Sequence, residues 1–203
     1  MSLTESQIAE LKQVNSEYLK TPVGRQDLIT AINLQREWNN TKTDVQVGTS
    51  GVKLNQFSKR MRSRITKVPI IPIGLNNHCY TNAELFTKCG YTRCLGFNIT
   101  ACPCGKKISL ELHGLNEKDG VLYDFTKDFN KETEKYFLKV NTKLPPHIIR
   151  DYFTPNKEGF FDMNKGCRCN IEWTTNIRAE TDEDKLEKII NQLEAEHTRF
   201  LRV

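Results

Sequence analysis

Two short cysteine pairs constrain the fold of this chain more than any other feature of its sequence. The first pair is Cys102 and Cys104, and the second is Cys167 and Cys169, with one residue between the members of each pair. A structural zinc site takes four ligands at tetrahedral angles, and two short turns can each supply two thiolates. The pairs therefore predict a four-thiolate zinc site that joins two segments lying far apart in the sequence.

The residues around the pairs favour metal binding over burial of the thiols. Gly105 permits a tight turn after the first pair, and flanking cations such as Lys106 and Arg168 offset the negative charge of four thiolates. Two alternatives remain open: the thiols are buried as small hydrophobic groups, or they undergo redox or disulfide chemistry. Cys89 and Cys94 are alternative ligands, because both lie close to the first pair in the sequence.

Composition and the N-terminal sequence predict an intracellular, cytoplasmic protein. The 203 residues include 27% charged and 37% hydrophobic side chains, which is typical of a globular chain. Residues 1–20 lack the apolar run of a signal peptide, and no stretch approaches the ~20 apolar residues of a membrane span, so no membrane contact is expected. Seven cysteines, an odd number in a reducing compartment, favour metal binding or thiol chemistry over disulfides.

Two helices are expected at the N-terminus. Thr4 and Gln7 form a capping-box pattern, and apolar residues then recur at helical spacing to about residue 20. The residues Thr-Pro-Val-Gly at 21–24 end this helix, and a second helix follows over 25–38. Its apolar side consists of Leu28, Ile29, Ile32 and Trp38. Residues 39–55 are expected to form a polar loop that is most flexible at 48–51.

The rest of the chain has the pattern of an α+β domain. A short helix over 80–89 is stopped by Gly90, and a long helix is expected over 181–201. Strands are predicted at 94–100, 108–115 and 121–125, with a turn over Lys118-Asp-Gly before the third strand and a strand-like segment at 169–177. Residues 127–165 lack a clear pattern: they combine a polar amphipathic stretch, a break at Pro145-Pro146 and an aromatic-rich loop with Phe153, Phe160 and Phe161. The expected fold is a small antiparallel sheet around 92–126 and 167–177, clipped by zinc, with N-terminal helices and a long C-terminal helix.

Three regions follow from this pattern. Residues 1–67 form a helical N-terminal region with a basic strip, 68–180 a mixed α/β core, and 181–203 a C-terminal helix. We expect them to form one compact domain.

The basic strip lies at 57–67, which contains no acidic residue. Its cations are Lys59, Arg60, Arg62, Arg64 and Lys67. Such a strip can bind the phosphates of nucleic acid or act as a nuclear-import signal. The alternative is an ordinary solvated basic face, since Phe57 is the strip's single aromatic residue.

The C-terminal helix carries an apolar stripe with four-three spacing. Its members are Leu186, Ile190, Leu193, His197 and Phe200. The stripe either packs on the chain's own core or forms the seam of a homodimer, and its short length leaves both interpretations open.

A second group of residues has the pattern of a thiol enzyme. Cys79 begins the predicted short helix, where backbone N–H groups and the helix dipole stabilise a thiolate. His113 lies on one strand and Asp124 near the end of the next, so Asp124 can orient the imidazole that accepts the Cys79 proton. Backbone N–H groups near Cys79, with Asn77 or Asn82, are candidates for stabilising an oxyanion. The alternative is that Cys79, His113 and Asp124 are structural residues.

This order of residues resembles the papain-like, transglutaminase-type core. It is also similar to small uncharacterised proteins with the signature Cys-His-x-Asn, followed by a strand ending in His and by Asp-x-Thr. Within 76–126 the matching positions are Cys79, Asn82, His113, Asp124 and Thr126. Tyr80 stands where those proteins have His, and His78, which we expect at the surface, precedes the cysteine instead. The resemblance implies a thiol hydrolase or acyl transferase.

In composition, the whole chain resembles small uncharacterised proteins of large (giant) DNA viruses that replicate in the cytoplasm. This resemblance implies a location in the cytoplasm of a host cell. Two functional hypotheses follow from the sequence. One is a zinc-stabilised intracellular interaction module that binds a polyanion, and the other is a thiol hydrolase or acyl transferase that uses Cys79, His113 and Asp124.

Overall fold

The structure is a computed structural model that describes residues 3–41, 51–127, 132–142, 160–164, 179–180 and 183–200. The described α-helices are α1 (Glu5–Lys20), α2 (Pro22–Thr41), α3 (Lys59–Arg62), α4 (Cys79–Leu85) and α5 (Glu183–Phe200). Short 3-10 helices cover Leu54–Gln56 and Phe86–Cys89. The strands are β1 (Ile65–Pro69), β2 (Thr92–Ala101), β3 (Lys107–Lys118), β4 (Val121–Tyr123), β5 (Glu134–Val140), β6 (Phe160–Asn164) and β7 (Ala179–Glu180). These elements confirm the mixed α+β class.

The chain divides into two compact units. Unit 1 consists of Met1–Asp44, Val68–Cys94 and Gly114–Glu134. Unit 2 consists of Val45–Lys67, Leu95–His113 and Lys135–Val203. Each unit therefore combines three separate stretches of the sequence.

The N-terminal helices of unit 1 are bounded by capping residues. Thr4 and Gln7 form the predicted capping box of α1, in which the Gln7 N–H donates to Thr4 Oγ1 at 3.2 Å. Thr21 separates the two helices, and its hydroxyl accepts the N–H of Gly24 at 3.0 Å. α2 starts at Pro22 rather than at the predicted residue 25, because proline fits the first position of a helix.

The inward side of α2 differs from the predicted one. Ile29 and Ile32, expected on the apolar side, are 52% and 43% exposed, whereas Ala31 is buried. Ala31 lies on the same side of the helix as Asp27 and Gln35, one turn away in each direction. Both of these residues bond within unit 1, so polar contacts and a small residue determine which side of α2 faces inward.

An aromatic cluster forms the core of unit 1. The ring centroids of Phe86 and Phe125 are 4.8 Å apart and those of Tyr91 and Phe125 are 5.2 Å apart, both with edge-to-face geometry. Leu11 of α1 is fully buried in the same cluster. The cluster therefore joins α1 to the segments around α4 and β4.

The predicted strands in the middle of the chain are confirmed by β2, β3 and β4. In unit 1, β4 is antiparallel to the end of β3, with Lys118 opposite Val121. Asp119 and Gly120 connect them with φ of 53° and 77°. Two positive φ values are characteristic of an Asp-Gly hairpin turn, as the sequence predicted.

The sheet is larger than predicted. Its seven described strands have the order β1-β5-β2-β3-β6-β7, with β4 beside β3. In unit 2, β5 is antiparallel to β2, with Asn98 opposite Phe137, and β6 is antiparallel to β3, with Ser109 opposite Asp162. The pairs β2–β5, β3–β4 and β3–β6 are antiparallel, as predicted, and β7 lies parallel to β6.

Strands β5 and β6 lie within 127–165, where the sequence showed no clear pattern, and Phe160 and Phe161 of the expected aromatic-rich loop belong to β6. Phe137 and Leu138 are consecutive in β5 and both fully buried, so both faces of this strand are covered. Such a strand lacks the polar–apolar alternation that reveals a half-buried strand in a sequence. The predicted strand-like segment at 169–177 lies outside the described residues.

Candidate functional site

Cys79 is the first residue of α4, close to the predicted helix start, and its side chain is half-buried. Within unit 1, α4 packs against Gly114 of β3. A Cβ atom at Gly114 would lie 3.1 Å from the Cys79 carbonyl oxygen and 3.4 Å from Ala83 Cβ. Glycine at this position therefore lets the start of α4 lie directly on the backbone of β3.

Asn82, one turn further along α4, uses its whole amide in hydrogen bonds. Its Oδ1 accepts the Leu75 N–H at 3.0 Å. Its Nδ2 donates to the Leu75 carbonyl at 2.8 Å and to Thr126 Oγ1 at 3.1 Å. Both amide hydrogens of Asn82 are therefore engaged, so Asn82 has none to donate to an oxyanion. Asn77 and the backbone N–H groups near Cys79 remain as the candidates for stabilising the oxyanion.

Asp124 lies directly after β4 and is fully buried. Its Oδ1 accepts the Thr126 N–H at 2.9 Å. Its backbone N–H donates to the Pro69 carbonyl at 3.0 Å, and its carbonyl accepts the Ile71 N–H at 2.7 Å. Asp124, Thr126 and Asn82 therefore form one buried polar network in unit 1.

The predicted Cys-His-Asp residues are distributed over both units. Cys79 and Asp124 belong to unit 1, and His113 belongs to unit 2, where it lies on β3 and is 5% exposed. The structure joins Asp124 to Thr126 and Asn82, which are the residues that the Cys-His-x-Asn resemblance also selects. The approach of His113 to Cys79 stays a prediction.

A polar cluster of Tyr18, Asp27 and His78, the residue before Cys79, was not predicted. Tyr18 Oη donates to Asp27 Oδ2 at 2.5 Å, and Asp27 Oδ1 lies 3.8 Å from His78 Nε2. Burial, together with the hydrogen bond and charge of Asp27, raises the pKa of Tyr18 to about 12. The His78 side chain is 13% exposed, so the expected surface position is wrong. No local pattern reveals this cluster, because its members come from α1, α2 and the turn before α4.

The Cys102–Cys104 turn joins β2 to β3 in unit 2. The two Sγ atoms are 3.2 Å apart, and the Lys107 N–H donates to Cys102 Sγ at 3.3 Å. The Gly105 N–H closes the turn by donating to the Cys102 carbonyl at 2.7 Å. The turn thus brings the two thiols into hydrogen-bond contact, with either sulfur as the donor.

Gly51 lies against this cysteine turn. A Cβ atom at Gly51 would overlap the carbonyl oxygen of Cys102. The sequence predicted only loop flexibility near this position. Close backbone packing against a residue far along the chain is the property that sequence reasoning missed.

The second cysteine pair, Cys167 and Cys169, lies outside the described residues. Among the residues that the structure describes, no three His, Cys, Asp or Glu side chains are grouped to hold a metal ion. The alternative ligand Cys89 is buried in the core of unit 1, and burial raises the pKa of its thiol. Cys94 donates to Glu117 Oε2 at 3.0 Å. Cys102 is itself fully buried, as the alternative interpretation of these thiols expected, so burial does not distinguish the two sets of ligands.

Two residues of the basic strip are paired with α5 inside unit 2. Arg60 Nε lies 2.6 Å from Glu187 Oε1, and Arg64 Nη2 lies 2.7 Å from Glu194 Oε2. These ion pairs reduce the positive charge that the strip offers to nucleic acid, which favours the solvated-face interpretation.

The apolar stripe of α5 is described for its first two members. Leu186 and Ile190 are fully buried within the chain. Their burial favours packing on unit 2 over a homodimer seam. The side chains of Leu193, His197 and Phe200 lie outside the described part of the chain.

Comparisons with known proteins give no relative. No protein-family model, curated protein or solved structure matches the chain. Within the described ranges, no helix has both the length and the apolar character that crossing a membrane requires. The geometry of the two cysteine sites is therefore the basis for proposals of function.

Proposed function

We propose that the protein is a thiol hydrolase or acyl transferase in which Cys79 is the nucleophile. His113 is the general base, and Asp124 orients its imidazole ring. The supporting observation is the buried network of Asn82, Thr126 and Asp124. One long-range hydrogen bond, between Asn82 and Thr126, and one local bond, between Thr126 and Asp124, join three residues of the Cys-His-x-Asn resemblance.

In the proposed reaction, His113 takes the proton of the Cys79 thiol, and the sulfur bonds to the carbonyl carbon of an acyl donor. Asn77 and backbone N–H groups near Cys79 stabilise the oxyanion of the tetrahedral intermediate. Collapse of this intermediate breaks the bond to the leaving group, which receives the proton from His113. Water, or a second nucleophile in acyl transfer, then attacks the acyl-cysteine, and its proton returns to the Cys79 sulfur through His113.

The test compares Cys79→Ala with Cys104→Ala, since both thiols are half-buried but lie in different units. The full chain is assayed against a panel of activated thioesters and aryl esters. Cys79→Ala is expected to lose turnover by about a thousandfold, whereas Cys104→Ala stays within about twofold of the wild type. Turnover that survives in Cys79→Ala, or a wild-type chain that turns over no member of the panel, would contradict the proposal.

A second candidate function is a zinc-stabilised intracellular interaction module. The proposed ligands are Cys102 and Cys104 together with Cys167 and Cys169. The supporting observation is that one short turn carries both thiols and that the Lys107 N–H donates to Cys102 Sγ, a sulfur that would carry negative charge as a ligand. The sequence predicts a polyanion at residues 57–67 and a second copy of the chain at α5 as partners, but the ion pairs of Arg60 and Arg64 and the burial of Leu186 and Ile190 favour neither.

Zinc content decides the metal part of this second proposal. Protein purified without chelator is expected to hold about one equivalent of zinc, and Cys102→Ser is expected to lose it. Cys79→Ser serves as the control that keeps the metal. Less than about half an equivalent in the native chain would exclude the proposed site.

The polyanion part has a separate test. An affinity for RNA or DNA that falls as salt rises is expected if residues 57–67 contact phosphates. A titration that shows no salt-dependent binding would remove the polyanion as a partner.

A further inference from the structure

Tyr18, Asp27 and His78 form a continuous polar connection from α1 through α2 to the residue before Cys79. Tyr18 Oη donates to Asp27 Oδ2 at 2.5 Å. The other oxygen of Asp27 faces His78 Nε2 at 3.8 Å. His78 is the N-cap residue of α4, so its backbone leads directly into Cys79.

The turn that contains His78 has an uncommon backbone conformation. Asn77 has a φ of 57°, a left-handed value that few residues other than glycine adopt and that persists where neighbouring groups hold it. His78 Nδ1 lies 2.7 Å from the Asn76 carbonyl, which can only accept, so Nδ1 is the donor, and the 3.8 Å contact of Nε2 with Asp27 is attractive when the ring carries its second proton. The His78 carbonyl in turn accepts the Asn82 N–H at 2.8 Å.

α2 holds this turn at two points. Gln35 Oε1 accepts a hydrogen bond from Asn76 Nδ2 at 2.6 Å, and Asp27 faces the ring of His78. Asp27 and Gln35 lie two helical turns apart on the same side of α2. The helix therefore contacts both ends of the strained turn.

We propose that Asp27 and His78 are positioning residues that hold Cys79 in its reactive orientation. This inference rests on the proposed function of Cys79. Asp27 acts through the His78 ring, and His78 acts through the backbone that it shares with Cys79. The N-terminal helices thereby become part of the thiol site, although neither contributes a reacting group.

A positioning role of Asp27 and a purely electrostatic role predict opposite changes in the rate of Cys79 alkylation for Asp27→Asn. Removing a negative charge near a thiol favours the thiolate and would speed its alkylation. Loosening the turn misaligns Cys79 and slows the same reaction. Asn at position 27 keeps an oxygen that accepts from Tyr18, so the variant removes the charge facing His78 and little else.

The experiment measures alkylation of Cys79 by iodoacetamide in the full chain. Trypsin releases residues 68–88, a peptide in which Cys79 is the sole cysteine, so mass spectrometry follows this thiol alone. Asp27→Asn and His78→Gln are each expected to slow alkylation about fivefold. The double variant is expected to be no slower than the slower single variant, because both act through one contact. Asp184→Asn, an exposed carboxylate on α5, is the matched control and should match the wild type.

Cys89 serves as an internal check on folding, because general loosening of unit 1 would expose this buried thiol and speed its alkylation. If Asp27→Asn does not fold, Gln35→Ala takes its place and is expected to slow Cys79 in the same direction. Rates for Asp27→Asn and His78→Gln within about twofold of the wild type would overturn the inference, as would faster alkylation in Asp27→Asn or additive effects in the double variant.

Turnover separates failure of this inference from failure of the proposed function. Asp27→Asn is expected to lower kcat while KM stays unchanged. Cys79-dependent turnover with an unchanged alkylation rate overturns the positioning role alone. Slower alkylation without any Cys79-dependent turnover contradicts the proposed reaction. The contacts of Asp27 and His78 would then hold Cys79 in place but have no role in catalysis.

Discussion

Cys79 and the Cys102–Cys104 turn both lie at the ends of helices or strands. The hydrogen bonds around Cys79 come from residues far away in the sequence, whereas those of the turn come from nearby residues. Around Cys79, side-chain contacts arrive from α1, α2 and the segment after β4, as the bond between Asn82 and Thr126 shows. The Cys102–Cys104 turn is closed by backbone donors a few residues further along the same hairpin. Distant residues therefore supply the hydrogen bonds of the first site, whereas local ones supply those of the second, and the distant Gly51 packs against the second.

This difference indicates what each site requires. A metal ligand needs its sulfur at the correct spacing, which a short turn achieves by itself. A nucleophile needs a fixed orientation relative to groups elsewhere in the fold, which only contacts from other elements can supply. Buried polar networks reduce stability unless every member is satisfied, and the bonds of Asn82 to Leu75 and Thr126 satisfy both ends of its amide.

The largest expected effect is the loss of the Asn82 network. Asn82→Ala leaves the buried N–H and carbonyl of Leu75 without their partner, and each unsatisfied group costs about 1–3 kcal/mol, so we expect a loss of about 4 kcal/mol in the free energy of unfolding. Asn116→Ala is the matched control, because Asn116 is equally buried but donates one bond, to the Ala83 carbonyl. Its expected cost is about 1–2 kcal/mol. Equal urea midpoints for the two variants would show that the hydrogen bonds of Asn82 contribute no more to stability than the single bond of Asn116.

The next effect tests the packing of Gly51 against the Cys102–Cys104 turn in unit 2. Gly51→Ala places a methyl group on the Cys102 carbonyl oxygen, and we expect a loss of about 3 kcal/mol from this overpacking. Gly120→Ala is the control, since its positive φ costs about 1 kcal/mol but its Cβ would meet nothing. Thermal unfolding of both variants provides the measurement. A Gly51→Ala variant as stable as Gly120→Ala would mean that the turn needs no close partner.

The smallest expected effect concerns Tyr18 and has a defined pH dependence. The pKa of Tyr18 is about 12 in the folded chain, above its ordinary value of 10.0, so its neutral form is favoured by folding. This contribution is fully present below pH 10 and is lost as pH rises towards 12. Tyr18→Phe is therefore expected to cost about 1 kcal/mol near neutral pH, with a difference from the wild type that shrinks above pH 10. Denaturant unfolding at a series of pH values measures it, and a constant difference up to pH 12 would contradict the assignment.

The parts of the fold that sequence could predict are those with local causes. The Thr4 capping box, the Asp119-Gly120 turn and the helix start at Cys79 each follow from a few neighbouring residues. β5 could not be predicted, because burial on both faces removes its alternation.

The same limit applies to the candidate site. The resemblance to the Cys-His-x-Asn proteins predicted Asn82, Asp124 and Thr126 as site residues. Nothing in the sequence indicated that Asp27 would face His78. Contacts between α2 and the turn before α4 depend on which side of α2 is inward. Ala31 and two polar contacts decide that side, where the hydrophobic pattern had pointed to Ile29 and Ile32.

The most direct test of the central claim is capture of an acyl group on Cys79. The full chain is mixed with an activated acyl thioester that it turns over, quenched in acid and digested, and the mass of peptide 68–88 is measured. We predict that this peptide gains the acyl group in the wild type and that His113→Gln forms the adduct far more slowly. Turnover with no acyl group on this peptide, or adducts spread evenly over all cysteine peptides, would contradict the assignment of Cys79 as the nucleophile.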